Sequence, residues 1–364
     1  MKYSLYIAVI IIFSIPYKIA AQSNKSLQIK ENTAPKYLKE AFISLEELYK
    51  INVNEFDKYY INDVTCIDVD DNLNLYVLDY YEAQITVFNK DGKYVRTMGG
   101  KGQGPNELER PIAMNIYNNK IYICQDHKGL KIFDLQGKYV DFNITKMGNY
   151  KVIKAFDEYF LTVNTKLSLP LGQKFDYIIE KQSLDAKNIT TIWDVSYIGD
   201  HPNIISHDYY LAMDSQKNIY IPEDHEKYKI NKLTLDGKLL LTFGREYKRI
   251  SYSDKMKERF KKVISNAPAI ITVKPYPKYP PVVRYIVVDD NNYIWVAVGE
   301  FEMDSHGEFK VVSTIDIFNE NGEFLYTFDT PHLGRRSIIR KERLYSNPTQ
   351  DDQNIRVFQI KYNK

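Results

Sequence analysis

VTCIDVDDNLNLYVLDYYEAQITVFNKDGKYVRTMGGKGQGPNELERP, residues Val64–Pro111, decides the architecture of this chain. It divides into four short apolar runs, Val64–Val69, Leu73–Leu78, Gln84–Phe88 and Tyr94–Met98, followed by a glycine-rich connector. Asp91-Gly92 between the last two runs is a hairpin signal, because such turns need a positive φ that Gly adopts without a Cβ penalty. A single sheet of four antiparallel strands cannot bury its own two faces. The stretch therefore predicts copies of itself.

The copies are present. Aligned on the aromatic of the second run, they place Tyr76, Tyr122, Phe160, Tyr220, Trp295 and Tyr345 at equivalent positions. The third run recurs as ITVF (85–88), LKIF (130–133), YKIN (228–231), TIDIF (314–318) and IRVF (355–358). Gly92, Gly137, Gly237 and Gly322 follow four of these, whereas the third repeat reads LDAK with Ala186 in the glycine position, which predicts a different turn. Six such units make an all-β six-bladed β-propeller of four-stranded antiparallel blades. The sixth repeat stops after its third strand, so a strand near Ala41–Leu45, ahead of the first repeat, is expected to close the ring and remove the open edges.

The rest of the chain fits one body. Tyr is the dominant aromatic, 31 residues against 17 Phe and 2 Trp, as suits half-exposed strands. Net charge is +2 with the two signs interspersed, so no basic stripe marks a nucleic-acid partner. Residues 1–21 read as an export signal: Lys2, an apolar core over Leu5–Ile15, and cleavage near Ala21. The expected compartment is periplasmic or extracellular, with no transmembrane segment in the mature chain. Residues 22–36 are expected to be a flexible mature N-terminus and 37–364 the propeller. Two departures interrupt the repeat: an extended loop over 164–175 within the third blade, and the insertion 247–281, expected to hold a helix capped by Ser253 with Met256, Phe260, Val263 and Ile264 on its apolar face, then the proline-rich KPYPKYPP. Cys66 and Cys124 fall inside strands of neighbouring repeats and read as small buried hydrophobes.

KGQGPNEL, followed by RPIAM and preceded by NLYVLDYYEAQITVFNKDGKYV, resembles the NHL-type repeat. With its FISLEE strand before the first repeat and PYPKYPPVVRYIVVDDNNYIWV after the insertion, the mature chain resembles bacterial exported six-bladed β-propellers. That resemblance implies a fold and leaves the activity open, since NHL-type propellers include protein-binding platforms as well as metal-dependent lyases and lactonases.

Several groups offer chemistry. The glycines at 99, 100, 102 and 104 precede a strand and are followed by no Gly-Lys-Ser/Thr, so they read as a connector, not a phosphate loop. Asp126-His127 and Asp224-His225 follow the second strand of their blades, with Asp79-Tyr80 as the corresponding pair in the first. Imidazoles at such positions converge near the tunnel mouth and offer a Zn or Ca site, although an Asp there also caps its own turn. Asp200, His201, His207 and Asp208 form a second candidate cluster, and the pairs Asp68/Asp70 and Asp289/Asp290 end inner strands as turn caps or Ca²⁺ ligands. Tyr276 and Tyr279 on a stiff proline-rich backbone, flanked by Lys278 and Arg284, suit stacking on a sugar or clasping a peptide. The expected function is non-catalytic binding of a carbohydrate, peptide or envelope protein with no cofactor. The alternative is a metal-dependent lyase or hydrolase at the tunnel mouth.

Overall fold

The computed structural model describes residues 28–363 apart from 38–41, 54, 56, 127, 144–152, 168–173, 186, 199–210, 224–226, 250, 253, 255–256, 259–278, 280–281, 304–308, 335–336 and 347–352. Two strands come first, β1 (Gln28–Asn32) and β2 (Ile43–Asn52). Blade 1 is β3 (Val64–Val69), β4 (Leu75–Asp79), β5 (Gln84–Phe88) and β6 (Tyr94–Gly99). Blade 2 is β7 (Pro111–Tyr117), β8 (Lys120–Gln125), β9 (Gly129–Asp134) and β10 (Tyr139–Asn143). Blade 3 is β11 (Ile153–Phe156), β12 (Tyr159–Leu167), β13 (Lys174–Ser183) and β14 (Ile189–Ile198). Blade 4 is β15 (Ala212–Met213), β16 (Ile219–Pro222), β17 (Lys229–Leu233) and β18 (Leu239–Arg245). Blade 5 is β19 (Val283–Val288), β20 (Ile294–Met303), β21 (Phe309–Phe318) and β22 (Phe324–Thr330). Blade 6 is β23 (Ile338–Arg340), β24 (Arg343–Ser346) and β25 (Asn354–Tyr362), completed by β2. The expected six-bladed β-propeller is the fold observed. Among the described residues no helix is long and apolar enough to cross a membrane. The export signal and most of the expected inserted helix lie outside the described residues.

Each blade buries both faces against its neighbours, and the hydrophobic clusters follow that geometry. Tyr76, Leu78 and Val87 of blade 1 pack on Met114, Ile121 and Phe133 of blade 2, and Ile355 and Val357 of blade 6 pack on Ile67, Leu75 and Val77 of blade 1. Every residue of β4 and β16 is therefore buried, while the outer strand β6 is largely exposed. The innermost strands β3 and β23 touch, so the ring is closed.

Closure runs through an antiparallel ladder from Ile43↔Tyr362 to Asn52↔Asn354. The closing strand was expected at Ala41–Leu45 and extends to Asn52; its alternation is hidden because Ser44 to Lys50 is mostly exposed on the outer edge. Residues 28–32 also depart from the expectation of a flexible lead. They form β1, which pairs parallel to β18 as a fifth strand of blade 4. The Asn32 amide donates to the carbonyls of Gly244 and Gly322 and accepts from Phe324 N–H, tying blade 4 to blade 5. QIKEN has no buried face, so backbone pairing makes this strand and hydrophobic pattern cannot reveal it.

Repeated side-chain caps hold the turns. In blades 1, 4 and 5 the first strand ends in an Asp whose Oδ1 accepts N–H groups two and four residues on: Asn72 and Asn74 for Asp70, Gln216 and Asn218 for Asp214, Asn291 and Tyr293 for Asp289. The Oδ2 of each accepts from the anchor aromatic of the second strand, Tyr76 OH at 3.2 Å, Tyr220 OH at 3.0 Å and Trp295 Nε1 at 2.8 Å. In these three blades the anchor is thus a buried donor with a fixed acceptor. Phe160 in blade 3 has no donor to offer. Asp68 accepts from Ile116 N–H and Asn115 from Ala155 N–H, a bonding pattern that places Leu161, one residue on, at the anchor position of blade 3. Phe160 packs instead with the blade 2 cluster, as a one-residue shift in a strand demands. The outer turn of blade 3 also differs as expected: Ser183 N–H bonds to Asn188 O, one residue further than the Asn89–Lys93 closure in blade 1.

The cysteines are free thiols; burial pushes the Cys124 thiol up to about 12, and Cys66 Sγ lies 3.4 Å from the Met114 carbonyl.

Two outcomes test this account. Asp214→Ala strands the buried Tyr220 hydroxyl and two turn N–H groups, and should lower the unfolding free energy by about 3 kcal/mol in urea titrations, against about 1 for Tyr220→Phe. Burial, reinforced by Asp214 and Asp70, raises the phenols of Tyr220 and Tyr76, and burial raises Tyr59 to about 12. The folded state then holds protons that the unfolded chain releases near pH 10. This stability is complete below about pH 10 and is lost as pH rises through the folded values, so the melting temperature should fall steeply between about pH 10 and 12.

Candidate functional site

Strand alternation divides the loops between two faces. Turns from first to second and from third to fourth strand lie on one face. Turns from second to third strand and the connectors between blades lie on the other, where the expected insertions fall. There the hairpins of blades 3 and 5 are also longest: β12 and β13 pair out to Leu167↔Phe175, β13 and β14 to Lys174↔Ile198, and β20 and β21 to Met303↔Phe309. In blade 1 the corresponding strands have five residues each.

At this face the innermost strands open on bulges that displace Thr65, Ile112 and Arg284 from the regular ladder. Bulges of this kind re-aim side chains at a rim. Thr65 Oγ1 accepts from Tyr80 N–H at 2.8 Å, so the bulge also fixes the neighbouring turn. Arg284 is buried, 6% exposed. It faces Tyr252, whose phenol burial raises to about 12 while the guanidinium groups of Arg284 and Arg249 pull the other way. Arg249 in turn lies 4.5 Å from the ring centroid of Tyr279. Arg249, Tyr252, Tyr279 and Arg284 therefore form one cationic and aromatic group beside the tunnel. The sequence singled out Tyr279 and Arg284. It gave no periodic signal for Arg249 or Tyr252, which precede the expected helix. Tyr276 and Lys278 lie outside the described residues.

A second group lines the mouth between blades 1 and 2. Arg110 donates through Nε to the Tyr80 hydroxyl and forms an ion pair with Asp126, and Tyr80 meets Tyr81 edge to face at 5.3 Å. Tyr81 is 58% exposed. Asp79 is fully buried: it accepts from Asn62, Tyr81 and Glu82 N–H groups and caps its own turn. Its counterpart in blade 2 is Gln125, which accepts from Glu109 N–H as Asp79 does from Asn62 and pairs with Pro111 as Asp79 pairs with Val64. Asp126 thus corresponds to Tyr80 and not to Asp79, and its carboxylate is held by Arg110. His127, Asp224 and His225, and the cluster Asp200, His201, His207 and Asp208, lie outside the described residues. Among the described residues no group of three His, Cys, Asp or Glu side chains stands close enough to hold a metal ion.

The acidic pairs on inner strands have structural partners. Asp70 and Asp289 are turn caps, Asp68 binds Asn115 and Ile116 of the next blade, and Asp290 accepts from Lys341 N–H. The glycine-rich connector is likewise a fold element. Gly99, Gly100 and Gly102 have φ of 91°, 127° and 156°. The Lys131 ammonium donates to the carbonyls of Gly104 and Glu107 at 2.7 and 2.6 Å, and the Glu107 carboxylate accepts from Gly104 N–H. A Cβ on Gly102 would meet that flexible carboxylate at 1.9 Å, which could swing aside, so the positive φ is what favours glycine there.

No curated protein matches the sequence. Solved structures share the shape. A protein of Bacteroides fragilis assigned as exported aligns with a TM-score of 0.55 at 12% identity, covering 93% of this chain and 99% of that one. A DUF4221 family member from Bacteroides vulgatus aligns with a TM-score of 0.57 at 12% identity, over 89% of this chain and 100% of that one. A virginiamycin B lyase from Staphylococcus aureus is more distant, with a TM-score of 0.43 at 11% identity over 87% of this chain and 99% of that one, and bears on neither activity nor ligand. The six blades agree with the family whose sequence profile matches residues 28–273: this chain belongs to the 6-bladed beta-propeller family DUF5128.

Proposed function

We propose that this protein is an exported, non-catalytic recognition module that binds a carbohydrate, a peptide or a partner protein across the face formed by the second-to-third-strand turns and the inter-blade connectors. One observation carries the reading: the lengthened hairpins of blades 3 and 5 and the 247–281 insertion all belong to that face, while the described turns of the other are short and several are capped by their own side chains. Loops that depart from a rigid repeat are where binding specificity resides. The side chains are suitable. Tyr80, Tyr81 and Tyr279 supply aromatic surface, and Arg110, Arg249 and Arg284 supply planar multidentate donors. Lys278 and Tyr276 extend the same chemistry. The leader-like residues 1–21 support export.

The test is a screen of the mature protein on a glycan array and an extended-peptide library, followed by titration of the best hit. The double variant Tyr276→Ala/Tyr279→Ala and the single variant Tyr81→Ala should each weaken that hit by about tenfold or more, with melting temperatures near that of the parent protein. Full affinity in both variants, or no glycan or peptide bound at about millimolar concentration, removes this reading.

A further inference from the structure

The opposite face carries a site of its own, between blades 5 and 6, where one turn breaks the repeat. In blades 1 and 4 the capped turn ends in an Asn whose Nδ2 donates to the capping carboxylate, Asn74 to Asp70 at 2.8 Å and Asn218 to Asp214 at 2.9 Å. Blade 5 has Tyr293 in that place. The vacated bond to Asp289 Oδ2 is made by the Tyr362 hydroxyl, reaching over from blade 6. Both rings then stand at the rim of a cleft of about 500 Å³, completed by Asn291, Glu342, Gln359 and Lys361. That volume suits a small organic ligand.

The hydrogen-bonding state of the lining selects the ligand. The Tyr362 O–H is spent on Asp289. Gln359 Nε2 donates to the carbonyls of Glu342 and Ile360 at 3.0 and 3.3 Å. The Lys361 ammonium is paired with Glu46. The polar lining comprises the Gln359 and Asn291 side-chain amides, the Glu342 carboxylate and the Lys361 ammonium that Glu46 neutralises. Beside them lie two ring faces, Tyr293 and Tyr362, with centroids 5.3 Å apart and planes tilted by 34°, braced by the edge of Phe42 against Tyr293 at 5.4 Å. A phenol that donates to a carboxylate has an electron-rich ring, which favours a cation over its face. With the Lys361 charge offset by Glu46, the Glu342 carboxylate leaves the lining net acidic, which disfavours an anion. From this juxtaposition we infer that the cleft between blades 5 and 6 binds a guanidinium or primary ammonium group, its N–H donors on Glu342 and Gln359 and its charge against Tyr293 and Tyr362.

This site is independent of the loop-rich face, and its test separates the two. The full mature protein is titrated by calorimetry at low salt with agmatine and with N-acetyl-arginine amide, using N-acetyl-citrulline amide as the uncharged isostere. Both cations should bind, the citrulline compound should not, and Glu342→Gln should weaken binding about tenfold. Tyr293→Leu should weaken it about fivefold. Glu342 is an exposed turn residue, so its Gln variant keeps the fold. Tyr276→Ala/Tyr279→Ala should leave cation binding unchanged. Agmatine alone binding identifies free amines as the ligand, and the amide alone identifies basic peptides; each supports the site. Equal binding of the citrulline compound, unchanged affinity in Glu342→Gln, or no cation bound at about 20 mM overturns it.

Discussion

The structure depends on ring closure. A four-stranded blade has two apolar faces and little thickness, so each gains its stability from the neighbour on either side, and an open row of six would leave two faces and two strand edges in water. The β2–β25 ladder removes that liability by making the N-terminus complete the last blade. Residues 28–37 reinforce it. β1 lies on blade 4, and Lys36 and Tyr37 N–H groups bond to the carbonyls of Phe324 and Leu325 on blade 5 before β2 enters blade 6. Three consecutive blades are thus held by one stretch of chain far from them in sequence, so the ring cannot close until the last-made strand has met the first.

Closure also explains where charge is tolerated inside. Asp316 is fully buried on a third strand, yet it accepts from Tyr228 OH at 2.5 Å and from Arg245 Nε at 2.7 Å across the blade 4 and 5 interface. Arg245 stacks in turn on the rings of Tyr228, Tyr247 and Phe324. A buried carboxylate with a guanidinium partner adds little net stability, but it penalises any register other than the one that pairs them. Asp68 with Asn115 and Asn115 with Ala155 act similarly along the inner strands, fixing the angular setting of blades 1 to 3.

The fold was legible because burial on both faces forces continuous apolar runs and because turns need particular residues. Gly92, Gly137, Gly237 and Gly322, all at positive φ, marked the outer turns, and Ala186 marked the turn that differs. Phe160 misled because alignment on aromatics assumes that the aromatic occupies one face, and a one-residue offset in blade 3 puts it on the other. The pairing of Asp126 with Asp79 failed for a related reason: Gln125 performs the Asp79 role with a different side chain, which alignment on acidic residues passes over. β1 was illegible because an edge strand with exposed side chains carries no hydrophobic pattern. Of the candidate site, Tyr279 and Arg284 were legible as an aromatic and a cation near a proline-rich segment, whereas Arg249, Tyr252 and Arg110 belong to it through tertiary placement alone.

Regularity and function therefore occupy different residues here. Where the Asp cap is complete, as in blades 1 and 4, the capping carboxylate is filled by donors of its own blade, and the remaining polar groups of the turn, such as Asp71 and Ser215, bond to Arg340 and Asn292 of the neighbouring blades. Where it is incomplete, as at Tyr293, the missing donor is supplied by the next blade, and both tyrosines then line a cleft between the two blades. The same reasoning applies at the loop-rich face, where Gln125 frees Asp126 to hold Arg110 at the rim instead of capping a turn. In a closed ring of near-identical sheets the scaffold tolerates such local substitutions, because inter-blade burial and strand closure hold the blade whichever side chain caps its turn.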